Sequence, residues 1–500
     1  MNILFVYPEY PVTYWGFQYA LRFVAKKAAF PPLGLMTIAS MMPSETYQKK
    51  LIDMNVQRLR DADLRWADLV LISAMVVQRD SVKEVIARCK RLGVKTAAGG
   101  PLFTAEKEDY DDVDYLVLGE GEITMPAFLA DYEAGHAKHL YLPDHFPDMS
   151  ETPIPQWDLI NVKKYASMNI QYSRGCPFDC EFCDITSLYG RAPRTKSAEQ
   201  VVAELQALYE TGWRNGVFFV DDNFIGLKTK VVTEILPAIT KWMDAHERPF
   251  QFITEVSINI ADDEPLMNDL VHAGFHQVFI GIETPDETSL AECNKNQNKN
   301  RNLLDCVQKI QRFGLEVQGG FIVGFDSDTS SIFDRMVKFI QESGITTAMV
   351  GLLNAPKGTK LYQRMVREGR MTDEFSGNNT DFSLNFKPKM DRHMLVEGYQ
   401  KIISTIYSPK YYYERVKGFL SRYAPGKKAS ERISATNVVA FLRSVIRLGI
   451  FGKERRYYWS LLFWALRERP EMFPSAVRLS IYGFHFRKVF QQSLTVPQGS

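Results

Sequence analysis

Gly175-Cys-Pro-Phe-Asp-Cys-Glu-Phe-Cys183 sets Cys176, Cys180 and Cys183 in the spacing C-x3-C-x2-C. Three thiolates so spaced can hold three irons of a [4Fe–4S] cluster and leave the fourth iron open to a substrate or cofactor. A structural zinc ion wants four ligands, and this loop offers no fourth Cys or His. Free thiols are usually buried, so three unpaired cysteines in one surface loop would be unusual without a bound group.

From this loop onward strand and helix patterns alternate. Strand-like runs at 169–172, 217–220, 250–253, 278–282, 316–323 and 347–353 are separated by helix-like runs such as 198–211 and 229–245. Six βα units starting at the cysteines predict a partial (β/α)6 barrel of the TIM type, whose active face lies at the strand ends. Upstream, apolar runs at 2–7, 51–53, 68–74, 94–98 and 113–118 alternate with helix-like stretches at 32–42, 81–92 and 122–133. That pattern predicts an N-terminal doubly wound, flavodoxin- or Rossmann-like parallel sheet, with ligands at the carboxyl ends of its strands. Those ends read Tyr7-Pro-Glu-Tyr10, Ser73-Ala-Met-Val-Val-Gln78, Gly99-Gly-Pro101 and Gly119-Glu-Gly-Glu122, and glycine there lets a bulky ligand approach the backbone. No G-x-G-x-x-G opens the first helix, so a dinucleotide is not favoured. Pro143, Pro147, Pro153 and Pro155 mark a linker. The expected division is 1–141, a linker over 142–163, an α/β barrel over 164–385 and a mainly helical domain over 386–500. The polar stretch Asn294-Lys-Asn-Gln-Asn-Lys-Asn300 is assigned no chemistry.

The 500 residues exceed one ordinary core, and 45% apolar with 24% charged residues is a globular balance. Six cysteines, three of them in one loop, are no disulfide framework; Cys89, Cys293 and Cys306 read as core thiols in a reducing, cytoplasmic setting. The start Met-Asn-Ile-Leu-Phe-Val-Tyr lacks the basic head and cleavage site of a signal peptide. No apolar run approaches the roughly 20 residues that span a bilayer. A net charge of +1 hides an asymmetry: residues 401–500 hold 18 Lys and Arg against 5 Glu and no Asp, with many aromatics. Such a surface suits an anionic partner, although basic residues can also merely solvate a helical domain.

The cysteine loop, with Phe182 before the third cysteine, resembles that of the radical S-adenosylmethionine (SAM) enzymes. The resemblance implies SAM contacts along the later strand ends: Asp221 and Asp222 toward the methionine ammonium, Glu255 toward cofactor or substrate, Glu283 toward the ribose, and Gly320 and Gly324 beside adenine. Asp326 and Asp328 stand where the superfamily usually has a later glutamate. Asp221 and Asp222 also read as plain helix caps. Arg174, Arg191 and Arg194 could pair with the SAM carboxylate or face solvent. The N-terminal region, with Phe30-Pro-Pro-Leu-Gly-Leu35, resembles the cobalamin-binding module fused to one large class of these enzymes. Its implied cobalamin contacts are Ser73, Met75, Gly99, Gly100, Gly119 and Gly121. Asp53 is followed by Met54 and Asn55, so the D-x-H-x-x-G that supplies a cobalt ligand in many such modules is absent; Asp53 reads as a strand-end residue and Ser73–Gln78 would lie beneath the corrin. The layout resembles the subgroup that includes hopanoid C-2 methylases and the glutamine C-methyltransferase of methyl-coenzyme M reductase. What this implies is a cobalamin-dependent radical SAM C-methyltransferase, moving a methyl group from SAM via methylcobalamin to an unactivated carbon of a lipid or protein. The alternative is a cobalamin-dependent radical oxidase or cyclase without methyl transfer. Expected partners are that substrate, a flavodoxin- or ferredoxin-like low-potential electron donor and a membrane surface touched peripherally through an amphipathic stretch at 435–447; no nucleic acid is expected.

Overall fold

Apolar runs bounded by polar breaks become the strands of two parallel sheets. A computed structural model of the chain describes residues 1–372, 376–378, 380–426 and 435–495. The parts of the expected barrel and C-terminal ranges at 373–375, 379, 427–434 and 496–500 lie outside the described residues. Strands β1 (Asn2–Tyr7), β2 (Gln48–Asp53), β3 (Leu69–Ser73), β4 (Lys95–Gly99), β5 (Tyr115–Val117) and β6 (Leu140–Tyr141) form the first sheet, in the order β2-β1-β3-β4-β5-β6. Ile3 to Val6 are wholly buried because both faces of the sheet are covered. Ile3 and Phe5 enter a large apolar cluster shared with the rest of the molecule, whereas Leu4 and Val6 pack with Val82, Val85 and Phe103 on the other face.

The second sheet contains β7 (Met168–Ile170), β10 (Gly216–Phe219), β11 (Gln251–Glu255), β12 (Phe275–Glu283), β13 (Glu316–Val323) and β14 (Ala348–Leu352), in the order β14-β13-β12-β11-β10-β7 and parallel throughout. This is the partial six-stranded barrel. The strand predicted over 316–323 coincides with β13, and the others differ at their ends by one to three residues. A short antiparallel pair, β8 (Ser173–Arg174) with β9 (Arg194–Thr195), encloses the cysteine loop and was not foreseen. Two-residue strands carry too little periodicity to show in a sequence.

The C-terminal part is helical: Arg392–Ile406, Pro409–Arg422, Ala435–Ser444 continued by the π-turn Val445–Ile450, Arg455–Glu468 and Phe473–Thr495. It is not an appendage. Tyr14 stacks on Phe486 with ring centroids 4.3 Å apart, and its hydroxyl meets that of Tyr407 at 2.7 Å. The Pro-rich linker is likewise a packed strap: Trp157 is buried, and the Gln156 amide donates to the Met36 carbonyl at 3.1 Å.

Three buried charges, Arg174, Glu120 and Glu122, and the half-buried Arg194 join the two sheets. Arg174 of β8 donates to Glu120 at 2.5 Å and to Glu122 at 2.7 and 3.0 Å, while Arg194 of β9 donates to Glu120 at 2.5 and 3.0 Å. Both arginines are thereby committed to the carboxylates where the loop after β5 enters the helix Gly121–Glu133, neither solvent-facing nor free for SAM. Arg191 alone stays exposed, 3.7 Å from Asp179. Burial works against the Glu122 charge, but Arg174 holds its carboxyl below the usual carboxylate range. That contribution to stability is present at neutral pH and is lost as pH falls through the depressed folded value.

Arg174→Met should leave Glu120 and Glu122 buried with part of their charge uncompensated and cost about 3–5 kcal/mol. Denaturant unfolding measures it; an unchanged first transition would show that the joint carries no stability.

Candidate active site

A chamber of about 2260 Å³ opens between the carboxyl ends of the two sheets. Pockets for one drug-sized ligand run to roughly 1,000 Å³, so this one has room for more than one large ligand. Tyr7, Tyr10, Met75 and Pro101 line it from the first sheet, Phe182, Cys183 and Asp184 from the cysteine loop, Phe218, Glu255, Phe279 and Glu283 from the barrel, and Phe441, Phe473 and Tyr482 from the C-terminal helices. Phe30 packs on Phe218 with centroids 5.4 Å apart, so the Phe30–Leu35 segment bridges first sheet and barrel.

The cysteine loop is held on every side. Gly175 turns at φ +89°, where a Cβ would stand 3.0–3.2 Å from three carbonyl oxygens of residues 189–192. Its amide donates to Asp222 at 2.8 Å. Glu181 takes a fork from Arg364 at 2.7 and 3.0 Å, and its amide donates to the Cys293 carbonyl at 2.9 Å. Phe182 packs beside Phe325 and Cys293. Burial pushes the thiols of Cys176, Cys180 and Cys183 up in the absence of a bound group, so loading the loop releases protons. Among the described residues no three Cys, His, Asp or Glu side chains converge on one ion position. Separate thiols suit a cluster, in which each thiolate takes its own iron.

The stretch 294–300, read as a chemically idle loop, surrounds this site. Lys295 Nζ lies 2.7 Å from Glu283 Oε1; burial opposes its charge, yet Glu283 and the neighbouring Cys180 hold its pKa above the ordinary lysine value. Gln297 Nε2 donates to Cys180 Sγ at 3.7 Å, and Asn298 donates to the carbonyls of Gly281 and Ile282, at 3.0 Å each. A cation and an amide donor beside thiolates offset their charge, as outer partners of a metal ligand do. Polarity alone could not reveal this, because the contacts are made across the fold.

Glu283 ends β12 beyond a register shift, in the left-handed region at φ +63°. Asp221 is buried: Oδ1 accepts from the Ser173 hydroxyl at 2.7 Å and from its amide, while Oδ2 has no partner. Gln297 Oε1 and Asn223 Oδ1 are likewise buried and unpartnered. Acceptors left open around the cysteine loop fit a ligand that brings ammonium and hydroxyl donors, as SAM does. Burial, with repulsion from neighbouring carboxylates, pushes Asp222 up to about 6, Asp221 to about 7 and Glu255 to about 8. Gly320 faces the chamber, where a Cβ would stand 2.8 Å from the Phe279 ring. Gly324 instead makes a turn at φ +107° whose amide donates to Asp328 at 2.8 Å, outside the chamber lining. Asp326 is engaged by Arg364 and Arg370.

On the first sheet, Met75 projects into the chamber at 48% exposure, its sulfur accepting from Tyr10 at 3.3 Å. Gln78 ties the loop back, donating to the Pro8 carbonyl and accepting from the Met75 amide at 2.8 Å. Ser73 touches Gly100, where a Cβ would lie 2.6 Å from its Oγ. The glycines make room for protein rather than ligand: a Cβ at Gly99 would stand 2.4 Å from the Val117 carbonyl, at Gly119 2.5 Å from Pro143, and at Gly121 2.1 Å from Ile38. Asp53 is a buried strand end, accepting from Tyr165 at 3.0 Å and Asn55 at 2.7 Å. Among the described residues of this sheet no histidine lines the chamber; the chamber's histidines, His246 and His276, lie on the barrel side, and the first sheet offers an open, sulfur- and aromatic-lined face that fits a corrin.

Family models match at residues 24–129 (B12 binding domain), 170–340 (Radical SAM superfamily) and 359–496 (a domain of unknown function, DUF4070). The first two define the class: an enzyme with a cobalamin module and a radical SAM barrel in one chain. An uncharacterized methyltransferase of Synechocystis is 39% identical over 502 residues, covering 99% of this chain and 93% of its own length. Hopanoid C-2 methylase of Rhodopseudomonas palustris is 34% identical over 473 residues, covering 92% and 88%. The chain belongs to the cobalamin-dependent radical SAM methyltransferases, whose cofactors are a [4Fe–4S] cluster, SAM and cobalamin. The fold agrees with TsrM of Kitasatospora setae, solved with cobalamin and a [4Fe–4S] cluster, at a TM-score of 0.63 and 14% identity over 99% of this chain and 100% of that one.

Glu255 is neutral below its raised pKa and ionises at a cost in the protein without added cofactors, so stability falls as pH rises from about 4.5 to about 8. Glu255→Gln stays neutral; its melting midpoint relative to wild type should climb across that window, and a constant difference would contradict the assignment.

Proposed function

We propose that the protein methylates an unactivated carbon of a polycyclic, hopanoid-like lipid. The observation that carries this reading is the chamber wall, where Trp15, Phe17, Phe30, Phe218, Phe279 and Phe441 present apolar surface to whatever lies within. Similarity to hopanoid C-2 methylase along most of both chains supports it.

Within this reading Cys176, Cys180 and Cys183 hold the cluster. Asp222, Glu255, Glu283 and Gly320 surround SAM, and Asp221 and Gly324 shape the backbone beside it. Ser73 and Met75 face the cobalamin, with Gly99, Gly100, Gly119 and Gly121 supporting that floor. Bound there, the cluster and SAM supply hydrogen abstraction and the corrinoid supplies methyl transfer. The protein's own part is placement. The four-charge joint holds the two cofactor faces across one chamber, which replaces an improbable multi-body encounter by fixed geometry. Lys295 stands between Glu283 and the thiols and keeps a positive charge beside them. The division at 142–163 and 386 then separates cobalamin module, radical barrel and a helical part that closes the chamber. An electron donor of low potential completes the reaction.

Anaerobic incubation of the reconstituted protein with methyl-labelled SAM, hydroxocobalamin and reductant tests the substrate class. Label should enter a hopanoid in mixed lipids; label confined to protein would overturn the lipid reading. Glu283→Ala should weaken SAM binding at least tenfold, about 1.4 kcal/mol, with iron content unchanged; wild-type affinity would remove Glu283 from the site.

A further inference from the structure

We propose that the outward face of the helix formed by Ala435–Ser444 and Val445–Ile450, with its neighbour Arg455–Glu468, docks the protein on an anionic lipid bilayer. Val438, Leu442, Ile446 and Ile450 recur every fourth residue, so they fall along one side of the helix. They are 47%, 54%, 52% and 54% exposed, and Phe451 at the helix end is 79% exposed. Trp459 extends the surface to the next helix: its Nε1 donates to the Gly449 carbonyl at 3.0 Å and its ring stacks on Phe463, itself 63% exposed. Single exposed apolar residues are ordinary, but a contiguous face of this kind marks an interaction site.

Charge selects the partner. Arg447, Lys453, Arg455 and Arg456 are exposed around this face. The acids interleaved with them are engaged: Glu454 is buried against Arg487 at 2.8 Å, and Glu468 lies beside Arg467. Guanidinium and ammonium groups bind lipid phosphates while branched and aromatic side chains enter the boundary between headgroups and acyl chains. Position gives the contact a purpose. Ala440 and Phe441 of the same helix line the chamber, together with Val438 at the helix's N-terminal end where the two faces meet, and Phe441 packs on Phe473 with centroids 5.5 Å apart. Arg443 anchors this wall by donating to the carbonyls of Arg22 and Phe23 at 2.9 and 3.1 Å. A bilayer beneath the helix therefore lies one helix thickness from the site, a short route for the lipid substrate, though only this route rests on the substrate reading above. No helix among the described residues is long and apolar enough to cross a membrane, so the contact is peripheral.

Flotation of the full chain, loaded with its cofactors, tests the proposal with vesicles of phosphatidylglycerol and phosphatidylcholine against phosphatidylcholine alone. The protein should float with the anionic vesicles, and less at high salt. Ile446→Glu combined with Phe451→Glu should lower partitioning at least tenfold, with unchanged cluster absorbance and melting midpoint. Arg455→Ala with Arg456→Ala, which spares the apolar face, should weaken binding to anionic vesicles alone. Absence of flotation, wild-type flotation by the Glu variant, or a dimer in sedimentation that this variant splits would each overturn the proposal. Flotation without methyl transfer to lipid would uphold docking and overturn the substrate reading instead.

Discussion

The architecture depends on a buried electrostatic joint. Arg174 and Arg194, on a two-strand ribbon at the mouth of the barrel, share Glu120 at the end of the loop after β5 of the first sheet, and Arg174 also holds Glu122 in the first turn of the helix that follows. Ions buried this deeply are costly unless every partner is supplied, so the network resists partial separation of the two halves. Gly175 follows Arg174 directly, and its amide is bound by Asp222. The joint that positions one sheet against the other thus also aims the cysteine loop. An enzyme that brings two bulky cofactors to one carbon needs this kind of coupling between cofactor placement and domain placement.

Around the cysteines the polar shell matters as much as the thiols. Lys295 is shared electrostatically between Glu283 and the sulfurs, Gln297 donates to Cys180, and Asn298 braces the carbonyls at the end of β12. Side chains from one irregular loop thereby set the charge around the thiols and brace the left-handed backbone at Glu283. The acid-rich neighbours Asp221, Asp222 and Glu255 sit in low-dielectric surroundings that favour their neutral forms.

Much of the fold was legible before any coordinates. β1 follows its apolar run residue for residue, because a strand covered on both faces carries mostly apolar side chains, whereas β13 keeps its expected bounds with Glu316 and Gln318 buried within it. The strand-end glycines were legible as special positions but not as to what fills the space: Gly99 and Gly121 admit a carbonyl and an isoleucine methyl of the protein itself. Arg174 and Arg194 were legible as cations without partners, since Glu120 lies 54 and 74 positions away. The 294–300 loop reads as idle for the same reason: polarity signals exposure in a sequence, while here it serves a buried site.

What the sequence by itself determined is the local chemistry: three thiols at a spacing that suits a cluster, apolar periods that suit two parallel sheets, and a basic, aromatic C-terminal fifth. Each depends on residues within a few turns of one another. Tertiary structure alone decided the chamber, its apolar wall and the joint that holds it. Tyr14 meets Tyr407 across 393 positions, and the C-terminal helices close a cavity begun by β1. Such features arise where surfaces remote in sequence exclude water together, and periodicity along one segment carries no record of the surface it will face.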